Sequence, residues 1–561
     1  MKRYFTIGIF LLVILIINIF TYIRIGNSEN QTETTTEASR TSATKTMETT
    51  TSTTTESVTI ETITKKIDDG YSFKPYSTSD TVPEKYLKDV TNFDHITDPS
   101  LIQFDNGINY PQVPGILTFR GNNFRRMASY GSVEVKEAQL EAVWSFDIGN
   151  LDVWTGVGWT GQPLIIKWPD DIKKIMNIKD EKRSKPDLKE VIYATLDGNI
   201  YFLDLEDGKK TREPINVGAP HKGTPSLDPR GYPLLYAGQG INLVHEQRIP
   251  LGFRIFSLID QSLLYFLDGN DPEMKRNWFA FDSSPIIDAQ NDTCYEPGES
   301  GIFYKIELNT EFSIEDASIK IEPEVSRYRY DPVYNDRPGI ENSMVTYMNY
   351  GFFADNSGFI QCIDLNTLEP VWANYLKEDT DSSIVAEEIN GRLYLYVGSE
   401  VDFQGTSGKA YIRKIDGLTG EFIWEIEYLC ASTETVNGGV LATPAIGTGD
   451  LEDHIFFNVA MIDGTNRSLL VALDKNTGRE IWRYIHNNYS WSSPIFIHSE
   501  NDTYHIVQCD SIGQVILFDA KLGQVQDVLD LGINIEGSPV IYDDMMVVGT
   551  RGQKIWGFRI Y

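Results

Sequence analysis

The residue types that do chemistry are all present in this chain, but not in the spacings that the common catalytic devices need. There is no His-Glu-x-x-His, no Gly-x-Ser-x-Gly and no phosphate loop. Gly405-Thr-Ser-Gly-Lys409 has the wrong spacing for a phosphate loop and lies between strands rather than before a helix. The four cysteines, Cys294, Cys362, Cys430 and Cys509, form no Cys-x-x-Cys pair and have no His at ligand spacing. They read as buried strand thiols, with any cross-pairing left open. Carboxylates are abundant: 80 Asp and Glu against 49 Lys and Arg give a net charge of -31. That balance excludes a sequence-independent grip on nucleic-acid phosphates and suits cationic partners. One loop, Gly449-Asp450-Leu-Glu-Asp453, gathers carboxylates, but it does not meet the calcium-loop pattern and reads as a solvated turn.

The elements that must position any site are copies of one unit. Ser468-Leu-Leu-Val-Ala-Leu-Asp-Lys-Asn-Thr-Gly-Arg-Glu-Ile-Trp482 is an alternating apolar strand, an Asp-x-x-Thr-Gly turn and a second strand carrying a Trp. It recurs over 359–372 and 411–424, and without the Trp over 200–208 and 515–523. A hairpin repeated this often cannot bury its apolar face alone, so the copies must stack into one core.

A second marker sets the length of the unit. Proline opens a strand at Pro163, Pro225, Pro285, Pro444, Pro494 and Pro539, a position where its missing N–H costs no ladder bond. Pro444 to Pro494 is 50 residues and Pro494 to Pro539 is 45, the length of a four-stranded propeller blade. Two further blades open without proline, near Ser343-Met-Val-Thr and Ser383-Ile-Val-Ala, which makes about eight. The last unit lacks a fourth strand, and Leu140-Glu-Ala-Val-Trp144-Ser-Phe-Asp-Ile-Gly149 is a strand without a blade before it. It is expected to complete the last blade and close the ring.

The Leu-x-Ala-Leu-Asp-x-x-Thr-Gly-x-x-x-Trp pattern resembles the repeat of the PQQ-like, quinoprotein-type propellers, a family that includes outer-membrane assembly propellers and eight-bladed alcohol dehydrogenases. Phe119-Arg-Gly-Asn122 is similar to a lead-in seen there. The resemblance covers about residues 116 to 561 and implies an all-β, eight-bladed propeller of four-stranded blades. It also raises quinone chemistry, in which a Trp and a vicinal Cys-Cys disulfide sandwich the quinone, calcium polarises it and an Asp acts as base. This sequence has no adjacent cysteines, so half of that sandwich is missing.

In a propeller the innermost strands line the central channel, so residues just before the strand-opening prolines crowd one mouth. Those positions hold Trp159, Thr160, His221, Lys222, Asp282, Leu441, Trp491 and Glu536. Trp159, His221, Lys222, Asp282, Trp491 and Glu536 are the ligand-binding candidates.

Four segments follow in order. Residues 1–26 carry an apolar run from Tyr4 to Ile23, about 30 Å as a helix, behind Lys2 and Arg3 and without an Ala-x-Ala-like exit. That is an uncleaved transmembrane anchor with its N-terminus inside. Residues 27–66 are a Ser/Thr-rich disordered stalk, 67–139 a lead-in packed on the propeller, and 140–561 the propeller itself. Trp168 to Glu190 is expected as a solvated surface loop with one short helix. The expected function is a membrane-anchored, extracellular binding or scaffolding module for a protein or cell-wall ligand, with no catalysis and no cofactor of its own. The alternatives are a PQQ- and calcium-dependent dehydrogenase and a carbohydrate- or cell-wall-binding module.

Overall fold

Each apolar repeat has buried its face against the next, and the result is eight four-stranded antiparallel blades. The computed structural model describes residues 73–94, 102–158, 161–241, 243–335 and 337–561. The expected anchor and stalk lie outside them. Among the described residues no helix is long and apolar enough to cross a membrane.

The inner strands are Leu164–Ile166, Ser226–Leu227, Ile286–Asp288, Val345–Tyr347, Val385–Ile389, Ala445–Ile446, Ile495–His498 and Val540–Tyr542, opening blades 1 to 8 in turn. Leu140–Asp147 pairs antiparallel with Lys554–Ile560, placing Leu140 opposite Ile560, so an N-terminal strand does complete blade 8. Hydroxyls at the strand openings tie neighbouring blades together around the channel. Ser284 N–H donates to Ser343 Oγ (2.9 Å), Ser343 N–H to Ser383 Oγ (2.8 Å), Thr443 N–H to Ser493 Oγ (3.0 Å) and Ser493 N–H to Ser538 Oγ (3.1 Å). This is why small hydroxylated residues recur before the prolines.

The repeat's Trp and Gly are also explained by blade-to-blade contact. The indole N–H of Trp372 donates to Gly417 O (3.1 Å), that of Trp424 to Lys475 O (2.9 Å), that of Trp482 to Ala520 O (2.9 Å) and that of Trp144 to Leu205 O (2.8 Å). In each case the acceptor lies in the Asp turn of the following blade. The turn glycines, Gly420, Gly478, Gly523 and Gly208, have φ between +66° and +74°, and a Cβ on any of them would come within 2.9 Å of the ring. Only glycine both adopts that backbone and leaves room for the indole. A β-bulge just before each Trp, as at Ile481, turns the ring toward its neighbour.

The insertion after the first inner strand departs from expectation. It holds two short helices, Asp170–Ile175 and Asp180–Arg183. Trp168, Ile172, Met176, Ile178 and Leu188 are at most 5% exposed and pack into the core shared by blades 1 and 2. Its charged residues drew attention to solvent, whereas its spaced apolar residues decide its place. The segment before residue 140 adds strands of its own. Leu87–Phe93 lies outside Glu324–Pro332 as a fifth strand of blade 3, and Gly115–Ile116 lies inside Leu164–Ile166 of blade 1. All four cysteines are buried and unpaired, each in a different blade.

Candidate functional site

Residues 115–128 close one end of the channel. Ile116 pairs with Ile165 of blade 1, and Leu117 O accepts from Leu227 N–H of blade 2. Phe119 N–H donates to Ser284 Oγ of blade 3, Asn123 O accepts from Thr346 of blade 4, and Phe124 O accepts from Ala386 of blade 5. Arg120 Nη2 donates to Pro444 O of blade 6 and Pro494 O of blade 7, and Ala128 O accepts from Ile541 of blade 8. This plug therefore bonds to all eight blades. Arg120 and Arg125 are fully buried in it, and burial lowers them to about 9 and about 10. Five of these contacts fall within the inner strands, and the other three, at Ser284, Pro444 and Pro494, lie no more than two residues ahead of them. The residues further ahead of the strands extend past the plug, on its other side.

At that mouth the sequence candidates separate. Trp159 and Thr160 lie outside the described residues. Trp491 is buried against Leu441, Ala460 and Met461, and its indole N–H donates to Asn437 O, so it packs rather than presents a face. Glu536 accepts from Tyr489 Oη (3.2 Å) and Asn534 Nδ2 (2.8 Å). His221 is 2% exposed, with Nδ1 2.7 Å from Gly238 O. Lys222 and Asp282 do meet, at 2.9 Å.

Around that pair the fold gathers carboxylates that the strand-opening prolines did not mark. Asp282, Glu299 and Glu341 place carboxylate oxygens within 4.8 Å of one another, and so do Asp379, Asp381 and Glu400. They come from three consecutive blades by one rule. Asp282, Glu341 and Asp381 each stand four residues ahead of the start of an inner strand, at Ile286, Val345 and Val385, and Glu299 and Glu400 lie between the second and third strands of their blades. Glu341 and Asp381 sit at the register of Asp282 in the two blades that lack proline. A Ser two residues on, Ser343 and Ser383, was the usable signal.

Local bonds fix these loops. Glu400 N–H donates to Asp379 O (3.0 Å), and Glu299 N–H to Ala280 O (3.0 Å). The buried Glu378 carboxylate accepts from the backbone N–H groups of Asp379, Asp402, Phe403 and Gln404 at 3.0–3.2 Å, clamping the Asp379 segment to the loop after Glu400. Asn356 Nδ2 donates to Glu341 Oε1 (2.8 Å) and lies 3.5 Å from Asp379 Oδ2, between the two triads.

The electrostatics are those of crowded, buried acids. Burial, then Glu341, pushes Glu299 well above the carboxylate range; burial, then mutual repulsion, does the same to Asp379, and burial with Glu341 to Asp381. Burial pushes Glu400 to about 8. Glu341 moves the other way: against the effect of burial, Lys222 and Arg276 hold it below the usual value. Arg276 Nη1 is 3.5 Å from Glu341. Among the described residues the first triad thus has two cations beside it, and no ion pair reaches Asp379, Asp381 or Glu400. Neither oxygen of Glu299 receives a hydrogen bond from an N–H or O–H, nor does Asp379 Oδ1 or Asp381 Oδ1. The space bounded by Phe119, Lys222, Asp282, Glu341 and Asp381 is about 20 Å³, room for a water or a bare ion.

The Gly449–Asp453 turn takes no part. Asp453 accepts from Asn476 Nδ2 (2.9 Å), and neither carboxylate triad includes a residue of this turn.

His221 gives this region a pH dependence of its own. Burial lowers its pKa from about 6.5 to about 4, so the folded state prefers the neutral ring. A His with a depressed folded pKa contributes stability that is complete above about pH 6.5 and is lost as pH falls toward 4. The loss amounts to about 3 kcal/mol. Urea unfolding of H221N should show a correspondingly smaller fall in stability than the parent chain between pH 7 and pH 4.

No model of a known protein family matches the chain, and no curated protein does. Solved structures do. The chain is similar to quinohemoprotein alcohol dehydrogenase ADHIIG from Pseudomonas putida HK5, at 10% identity and TM-score 0.54, over 82% of this chain and 83% of that one. It is also similar to BamB from Moraxella catarrhalis, at 12% identity and TM-score 0.44, over 75% of this chain and 98% of that one. The chain therefore has the fold of the PQQ-like propellers, and at these identities the fold is what is shared.

Among the described residues the space at the mouth is far smaller than a quinone needs. Small-molecule sites run to about 300 Å³ or more. The cavity here is ion-sized, and the four cysteines lie in four separate blades, so no vicinal disulfide forms a stacking platform.

Proposed function

We propose that the protein is a binding propeller without catalysis of its own, held outside the cell membrane by its N-terminal apolar segment, and that its ligand at the channel mouth is a small hard cation. The observation that carries this reading is the set of six carboxylates from three blades, three of them lining an ion-sized space, with four oxygens on Glu299, Asp379 and Asp381 lacking donors. Buried charge of one sign is costly without a counterion. All-oxygen ligands, with no His or Cys, suit calcium-class ions rather than zinc or copper.

The test is thermal unfolding of the full chain, stripped with chelator, then given calcium alone or calcium with pyrroloquinoline quinone. Calcium should raise the midpoint saturably, with quinone adding nothing. A further rise that needs the quinone would favour the dehydrogenase instead, and no response to calcium would sink the cation reading. For the anchor, removing residues 4–23 should move the chain from the membrane fraction to the soluble one. A parent chain already soluble without detergent would refute anchoring.

A further inference from the structure

Resting on that reading, we propose that the mouth holds two hard divalent cations of the calcium class, one in each carboxylate triad. Each triad closes on itself: its three ligand oxygens lie within 4.8 Å of one another, the spacing of donors around a shared ion. Three carboxylates offer up to about six oxygens, the lower end of calcium's coordination number.

Two observations beyond the clustering point to ions. Glu299 is fully buried at a hairpin tip, and its only side-chain hydrogen-bond contacts are with the carboxyls of Glu341 and Asp282, with no N–H or hydroxyl donor on either oxygen. A carboxylate is not left in that state unless something else satisfies it. The second observation is the contrast between the triads. Lys222 pairs with Asp282 and Arg276 with Glu341, and both cations also act on Asp381 from a distance, yet among the described residues no ion pair is made to Asp379, Asp381 or Glu400, which the Glu378 clamp nonetheless holds together. Asn356 joins the two groups through Glu341 and Asp379, so filling one site should order the other.

Charge bookkeeping agrees. Six ionised carboxylates with Lys222 and Arg276 carry a net charge of -4, which two divalent ions neutralise.

The experiment is calcium titration calorimetry with metal analysis of the dialysed, chelator-stripped full chain. Two ions per chain are expected in the parent and in D450N, whose changed residue lies on the exposed turn. E299Q and D381N should each bind one, while retaining the parent's calcium-free melting profile. One ion per chain in the parent, or two in both E299Q and D381N, overturns the pair but leaves the mouth as a cation site. No bound ion overturns the pair and the proposed function together. Should E299Q fail to fold, E341Q probes the same triad with the same expected loss of one ion.

Discussion

Truncating Trp372 to Ala should destabilise the ring by about 3–5 kcal/mol. The side chain is 0% exposed, its indole N–H is bonded to Gly417 O, and its ring lies on Gly420 of the next blade. The loss combines a large cavity at a blade interface with an orphaned carbonyl. W372F keeps most of the ring contact and loses the hydrogen bond, so it should cost nearer 1 kcal/mol. Equilibrium urea unfolding of the two variants separates packing from bonding. Equal effects would mean that the indole bond, not the ring, carries the interface.

Replacing Arg125 with Met should cost about 3 kcal/mol or more. Its guanidinium donates to Met344 O (2.8 Å), Ser284 O (2.7 Å), Phe119 O (3.1 Å) and Thr118 Oγ1 (2.7 Å). Met fills much of the same length but leaves those acceptors buried without a donor. Relief of a desolvated charge offsets part of the loss, since burial already lowers Arg125 to about 10. K136M, at an exposed lysine, should be neutral. If R125M unfolds at the parent's urea concentration, the plug is not what locks blades 3 and 4 to the centre.

The propeller was legible in the sequence because stacking blades impose a local grammar. The Trp must meet a glycine, the turn must expose a carbonyl, and the strand opening must supply a hydroxyl, so each requirement leaves a residue at a fixed place. Closure was legible for the same reason: Leu140–Asp147 has a strand's pattern and no blade of its own. The plug was not. Phe119-Arg-Gly-Asn122 stood out only as a lead-in, because its partners in the blades, Ser284 Oγ aside, are backbone carbonyls and amides, and backbone partners leave no sequence mark.

The carboxylate site was half legible, and the reason is specific. Lys222 and Asp282 were found because proline marked their blades. Glu341 and Asp381 were passed over because their blades open without it. Glu299 and Glu400 stand in loops far from any marker, and only the ring brings those loops above the same channel end. Trp491, an aromatic at the right register, packs against Leu441 and Met461.

The plug's reach has a consequence for how many blades the ring can have. A closed circle of near-identical units does not by itself count to eight, since adding or dropping one changes each inter-blade angle by only a few degrees. Here a single stretch of about fourteen residues, 115 to 128, presents a distinct donor or acceptor to every blade, two of them through Arg120 alone. A ring of seven would leave one of those groups buried and unmet, and a ring of nine would leave one blade without its central bond. The number of subunits in the circle is written at its hub rather than at its joints.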